Sequence, residues 1–299
     1  MTHAVAGNRI NPDFSRLILG IWRIADWKMT PVEVASLLEQ ALELGINTFD
    51  LADIYGDYQC EAMFGEALRA QTALKSRIRL ISKCGIALQS AARPQHRVKH
   101  YNTTRQHIVA SVEHSLRQIG AERLDLLLIH RPDPLMDADE IAEAFGQLRR
   151  CGLVGNFGVS NFLPHQFDLL QSRLDYPLVA NQVEVSLLHS EAMFDGTLDQ
   201  CQRLGTMPQA WSPLGGGRLA KESHYSRLGQ VLARLGRELR ASPEQLAIAW
   251  LLRHPAQIHP VLGTGKIERL RLLVEAQQLQ LDRQYWYEML EAARGREVP

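Results

Sequence analysis

The chain has 299 residues, 45% of them hydrophobic, 22% charged and 7% aromatic, with lysine plus arginine and aspartate plus glutamate balanced at 33 each. A core of ordinary size is available, dominant disorder is excluded, and no net field draws the protein to nucleic acid or to an acidic membrane. Length alone leaves the architecture open, because two average domains and one closed α/β barrel of about 250 residues both fit.

The opening MTHAVAGNRINPDF lacks an apolar signal segment, and no run approaches the ~18 apolar residues of a membrane span. Cys60, Cys84, Cys151 and Cys201 are scattered without a CxxC pair. These features predict reduced thiols in a cytoplasmic protein with no membrane association.

In chain order, the first apolar run is LILGIW (17–22). Thr30, Pro31 and Glu33 then supply a capping hydroxyl, an N1 proline and an N3 carboxylate for a helix that buries Val34, Leu37, Leu38, Ala41 and Leu42. Gly45 suits the left-handed turn that ends it, and NTFD (47–50) follows as a strand. RLISK (79–83) is the third strand. A helix over Asn102 to Gly120 carries Ile108, Val112, Leu116 and Ile119 at helical spacing and leads into LDLLLIH (124–130).

A further helix opens at Asp137, with Glu140 three residues on as the second half of a capping box, and ends at Gly152 before VGNFGVS (154–160). LVANQ (178–182) and PQAWS (208–212) are the next strands. Ser242, Pro243, Glu244 and Gln245 cap ASPEQLAIAWLLRH, after which comes PVLG (260–263). From Asp282 onward, Trp286, Met289, Leu290 and Ala293 recur at helical spacing, which predicts a terminal helix packed on the rest. Eight strands alternating with helix-sized segments predict a (β/α)8 barrel occupying 1–299 as one domain, with a doubly wound open sheet as the alternative. Low-complexity tracts and longer repeats are absent from the sequence.

In such a barrel the downstream ends of the strands meet at one mouth. Asp50, Lys83 and His130 close three of the runs, and Tyr55 lies just past the first of them. The later runs end at Ser160 and Asn161, at Gln182, at Trp211 and Ser212, and at Gly263 and Thr264. Each has an ordinary structural explanation on its own: a buried ion pair, a core histidine, a surface tyrosine, strand-end caps. Converging at one mouth, they form an acid/base site beside an amide and hydroxyl binding site. Gly263-Thr264-Gly265-Lys266 precedes a helix containing Arg269, so backbone N–H groups, the helix dipole and two cations converge on an anion. No GxGxxG follows the first strand, which leaves a Rossmann pocket unsupported.

The motifs GINTFDLADIYG, LISKCG, LLLIHRPDP, FGVSNF, NQVEVS and AWSPLG, in this order over nearly the whole chain, resemble those of the aldo-keto reductases. DLADIYGDYQCEAMFGEAL and LLLIHRPDPLMDADE are most similar to the bacterial YdhF-type branch. The resemblance implies an NADP-dependent oxidoreductase that reduces aldehyde or ketone carbonyls, with Asp50, Tyr55, Lys83 and His130 as the catalytic tetrad. Tyr55 would donate the proton, Lys83 would lower its pKa, Asp50 would hold Lys83, and His130 would orient the carbonyl.

It further implies NADPH/NADP+ extended across the mouth. Ser160, Asn161 and Gln182 would hold the nicotinamide amide, and Trp211, where relatives often carry tyrosine, would stack on the ring. The loop from Pro213 to Arg218, with Ser212, Leu214 and Gly217, would close on the pyrophosphate. Thr264, Lys266 and Arg269 would bind the 2′-phosphate and favour NADPH over NADH, with Gly263 a further cofactor-binding residue. Leu272 and Leu273 occupy places where relatives carry a Glu-Asn pair near adenine.

Trp22 and Tyr58 are the expected substrate-pocket residues. Arg93, Arg97, Lys99 and His100 make the long 84–103 loop basic, either as a solvated face or as an attraction for an anionic substrate. The expected partner is a small carbonyl compound, with no nucleic acid, no membrane and no metal; the protein would be a monomer or weak homo-oligomer. Two other readings of these residues are an NADPH-binding regulatory or sensor subunit and a Schiff-base lyase using Lys83. Asp50 counts against the second, since a carboxylate keeps lysine protonated. A metal-dependent hydrolase fits less well, because the first strand ends Gly20-Ile21-Trp22 without an HxH pair.

Overall fold

Eight parallel strands close into a barrel in a computed structural model that describes residues 13–219 and 226–298. They are β1 (Ile18–Gly20), β2 (Thr48–Asp50), β3 (Arg79–Cys84), β4 (Leu124–Ile129), β5 (Val154–Ser160), β6 (Ala180–Glu184), β7 (Met207–Trp211) and β8 (His259–Leu262). Each pairs with its sequence neighbours and β8 closes on β1, so the barrel itself has no strand edge for another chain to pair with. The eight sequence-predicted strands are all present, though the first spans three residues of the LILGIW run.

Side chains alternate along a strand, and this period places the site. Ile18, Ile81, Leu126, Leu128, Ala180, Met207 and Val261 pack inside the barrel, with Phe14 against their lower end. Steps of two toward the mouth lead from Ile18 to Gly20, from Ile81 to Lys83, from Leu128 to His130, from Ala180 to Gln182, and from Met207 through Gln209 to Trp211. Apolar layers therefore fill the lower barrel, and the same faces turn polar at the top.

The helices are set by their caps. α1 (Pro31–Glu43) has the full Thr30–Glu33 capping box, and buries Val34, Ala35, Leu37, Leu38 and Ala41, with Leu42 half-buried; Gly45 follows at φ +80°. α2 (Cys60–Ala70) packs on α3 (Arg105–Ile119), and a Cβ on Gly65 would lie 2.2 Å from the Gln118 carbonyl oxygen, so only glycine permits that approach. α3 starts three residues later than the sequence pattern suggested, with Thr104 as its N-cap.

α4 (Ala138–Arg150) is capped by Asp137 alone, through the Asp139 N–H. Glu140 does not complete a capping box. It reaches over to accept the orphan N–H of Arg105 at 2.9 Å, tying α4 to the start of α3.

α5 (Pro164–Gln171) and α6 (Thr197–Leu204) follow β5 and β6. Between β7 and β8 stand two helices, α7 (Arg227–Leu239) and α8 (Pro243–Leu252), of which the sequence reading found only the second. Ser226 caps α7 and Leu228, Leu232 and Leu235 are its buried stripe, so the signal was present. After β8 come α9 (Ile267–Glu275) and α10 (Arg283–Arg294), the predicted terminal helix. α10 is clamped to α8 by stacked Trp250 and Trp286 rings, 5.0 Å apart, each indole N–H donating to the other's backbone carbonyl at 3.0 Å. Met289 and Leu290 are buried beneath it, with Ala293 half-buried.

The 84–103 segment is more ordered than a plain loop. Ile86–Ala87 and His100–Tyr101 pair as a short antiparallel ribbon above the barrel. No helix among the described residues is long and apolar enough to cross a membrane.

Candidate active site

Lys83 is the centre of the mouth. Its side chain is fully buried, and its ammonium spends its three hydrogens on Asp50 Oδ2 at 2.7 Å, the Leu51 carbonyl at 2.8 Å and Tyr55 Oη at 3.0 Å. Burial alone would strip the charge from the amine, but the combined pull of Asp50 and Tyr55 outweighs it and raises the Lys83 pKa. Asp50 is fixed on its other oxygen by Gln182 Nε2 at 2.9 Å.

An ammonium has no acceptor, so Tyr55 must be the acceptor in the bond from Lys83, and its own hydroxyl hydrogen is free to be donated. The sequence reading had Lys83 lowering the Tyr55 pKa. Its pull is present, but burial of the phenol is the larger effect and the net shift is upward, so Tyr55 is a protonated phenol at neutral pH. The His130 ring meets the Tyr55 ring edge-on at 5.7 Å. Burial, then the charges of Lys83, Arg131 and Lys99, push the His130 pKa well below the ordinary value, which makes the imidazole neutral with one N–H. Its Nδ1 is buried without a hydrogen-bond partner.

The opposite wall is a chain of hydrogen bonds. Trp211 Nε1 donates to Asn161 Oδ1 at 2.9 Å, Asn161 Nδ2 donates to Ser160 Oγ at 2.7 Å, and Ser160 Oγ donates to the Gln182 carbonyl at 2.8 Å. The indole N–H thus fixes the ring in place, which a tyrosine at this position could not do in the same way. Gln182 spends both amide hydrogens, on Asp50 and on Gln209 Oε1 at 2.9 Å, so only its oxygen remains to accept from a ligand. Asn161 and Ser212 sit at φ +61° and +50°, left-handed conformations rare in residues other than glycine.

These groups, with Gly20, Trp22, Arg131, Val261 and Gly263, enclose a cavity of about 260 Å³. Trp22, Ser212, Val261 and Gly263 also line a neighbouring cleft of about 100 Å³, together with Arg23, Leu214, Gly216, Gly217, Thr264, Arg269 and Leu273. The cleft runs to the head of α9, and Thr264 Oγ1 accepts the Lys266 N–H at 3.2 Å there.

Some sequence-predicted site residues are not part of it. Tyr58 does not line the cavity: Gly56, Asp57 and Tyr58 are all left-handed, at φ +56°, +54° and +68°, and turn its hydroxyl to accept the Leu88 N–H at 2.8 Å under the ribbon, with Arg93 over its ring. Arg218 and Lys266 are exposed and outside the cleft lining, and Arg218 donates Nε–H to the Gly215 carbonyl at 3.0 Å. Leu272 packs half-buried against the core, and Leu273, a core residue, also lines the cleft. Arg131, which sequence reasoning passed over, lines the cavity; its signal was the HRPDP run that begins at His130. Arg23, also missed, lines the cleft along with Arg269.

The model of the Aldo/keto reductase family matches residues 16–294. The chain is 52% identical over 289 residues to the oxidoreductase YdhF of Escherichia coli, covering 96% of each. It is 46% identical over 287 residues to a 6-dehydroglucose reductase of Agrobacterium fabrum, again over 96% of each. Among solved structures, the thermostable aldo-keto reductase Tm1743, in complex with the inhibitor epalrestat, superposes with a TM-score of 0.81 at 26% identity, covering 95% of this chain and 97% of that one.

Proposed function

The chain belongs to the aldo/keto reductase family, and from that premise we propose that it reduces aldehyde or ketone carbonyls with NADPH, Tyr55 giving the proton. The observation that carries this reading is the exhaustion of the Lys83 ammonium on Asp50, Leu51 and Tyr55, which leaves the Tyr55 hydroxyl hydrogen to be given away. NADPH, when bound, supplies the hydride that adds to the carbonyl carbon.

The residues do the rest. As the carbonyl carbon is reduced, its oxygen gathers negative charge and takes the Tyr55 proton; the phenolate left behind faces the Lys83 ammonium, whose charge Asp50 maintains. Solvent then reprotonates Tyr55. His130, neutral, offers an N–H to the same oxygen and sets its direction toward Tyr55. Asn161, Ser160 and the Gln182 oxygen are placed for a nicotinamide amide, and Trp211 for its ring. Thr264 and Arg269, at the head of α9, fit a 2′-phosphate, with Lys266 close by in sequence. A Schiff base at Lys83 is disfavoured, because the raised pKa keeps the amine protonated.

Free, mostly buried thiols fit a cytoplasmic setting. The name of the Agrobacterium relative makes hydroxylated aldehydes the first substrates to try. The test is loss of reduced-nicotinamide absorbance with a panel of aldehydes and ketones, NADPH against NADH. The expected result is alcohol formed in step with NADPH consumed and a higher kcat/KM for NADPH. Tight NADPH binding with no carbonyl reduced would overturn the reading in favour of a sensor.

A further inference from the structure

Arg131 is the cation of the mouth that the proposed proton delivery does not use. It follows His130 directly, at the mouth end of β4, and its side chain lines the cavity that holds Tyr55, His130 and Asn161. Its guanidinium lies 5.5 Å from the centre of the Trp211 ring. No hydrogen bond or ion pair joins it to another described residue, in contrast to ion-paired arginines elsewhere on the surface, such as Arg105 with Glu143 or Arg234 with Glu238. The cavity's own carboxylate, Asp50, is already neutralised by Lys83.

A guanidinium presents a flat fork of N–H donors matched to two oxygens side by side. Half-buried beside an aromatic ring and unpaired within the protein, that fork keeps its donors for solvent or for a ligand's oxygens. Lys83, Arg131 and Lys99 all act as positive charges on His130, so cations surround the wall of the cavity that Arg131 lines. The walls around it are aromatic and polar, with Val261 the one aliphatic side chain among the lining residues. An unsubstituted alkyl carbonyl would leave Arg131 without an acceptor.

Resting on the reductase reading, we propose that Arg131 is a substrate-selecting residue, which binds a pair of adjacent oxygens on the substrate and makes oxygenated aldehydes the preferred class. The pair is supplied either by a carboxylate or by neighbouring hydroxyls. Both satisfy the fork, and they differ in how much they need its charge.

The experiment compares kcat/KM for 4-oxobutanoate, glyceraldehyde and butanal in the wild type, Arg131→Gln and Arg131→Lys, with NADPH affinity followed by protein fluorescence. The expected result is a fall of about tenfold or more in the ratio of an oxygenated substrate to butanal in Arg131→Gln, at an NADPH affinity within about threefold of wild type. Each tenfold corresponds to about 1.4 kcal/mol of lost transition-state binding. If the carboxylate is the source, Arg131→Lys restores part of the 4-oxobutanoate ratio; if neighbouring hydroxyls are, the glyceraldehyde ratio falls and lysine does not restore it. Butanal reduced by all three proteins with both ratios unchanged overturns the inference and leaves the reductase reading standing. No NADPH consumption with any substrate, butanal included, removes the reductase reading and this inference with it.

Discussion

The two ends of the barrel are built from the same strands and treat polar side chains in opposite ways. At the floor, polar groups are spent on backbone. The Ser15 N–H donates to Asn47 Oδ1 and Thr48 Oγ1 at 2.9 Å each, Ser15 Oγ accepts the Asn47 and Thr48 N–H groups and donates to the Leu17 carbonyl, and His259 Nδ1 lies 3.1 Å from the Ser15 carbonyl. At the mouth, charges are spent on one another and valences face the cavity: the Tyr55 hydrogen, the Gln182 oxygen, the Arg131 fork. The mouth also holds left-handed Asp57, Tyr58, Asn161 and Ser212, each a strain of order 1 kcal/mol that the surrounding barrel supports. A floor of this kind holds the chain end in register; a mouth of this kind holds reactive groups ready.

Breaking the mouth at its centre has the largest consequence. Lys83→Met leaves Asp50 buried without its cation, which costs about 3–5 kcal/mol of stability in urea unfolding and abolishes turnover. Adding Asp50→Asn removes the stranded charge. The double variant is expected to regain part of the stability and none of the activity, separating the structural share of the pair from its chemical share.

The floor is tested by acid. Burial, then Arg16, lowers the His259 pKa from 6.5 to about 4, so the unfolded chain binds a proton there more readily than the folded one. Its contribution is present above pH 6.5 and is lost as pH falls toward 4. At 1.36 kcal/mol per unit it amounts to roughly 3 kcal/mol. His259→Gln is expected to flatten the fall in unfolding free energy between pH 7 and pH 4.5 by a large part of this amount, with turnover per folded molecule kept.

The smallest effect sharpens the contrast between the two histidines' surroundings. His130 is depressed in the same direction as His259, but it faces the cavity, so its signature belongs in the rate rather than in stability. Because it is already neutral at pH 6.5, kcat/KM for reduction at saturating NADPH is expected to vary by less than about twofold between pH 6.3 and 7.5. A rise of more than about twofold across that window would show an imidazolium losing its proton, since an imidazole at the ordinary pKa of about 6.5 more than doubles its neutral fraction there.

What was legible in the sequence follows from this contrast. Strand ends and their terminal residues could be read because apolar period and polar termination are local signals, which is how Asp50, Lys83, His130 and Gln182 came to one mouth. Pairing was less legible. Nothing local says that Glu140 serves Arg105 instead of its own helix, or that three successive left-handed residues carry Tyr58 away from the cavity that Tyr55 enters. The net direction of the Tyr55 pKa needed the depth of the phenol as well as the identity of its neighbour. Arg131 was hidden because its meaning lies in the lack of a carboxylate beside it, and that is a property of the packed mouth.

The most direct test of the mouth as a proton-delivery site is Tyr55→Phe, measured by single-turnover reduction of an aldehyde at saturating NADPH, with NADPH affinity followed separately by fluorescence. The account predicts a rate lower by about 10²- to 10⁴-fold at an affinity within a few-fold of wild type. Turnover at the wild-type rate in that variant would contradict it.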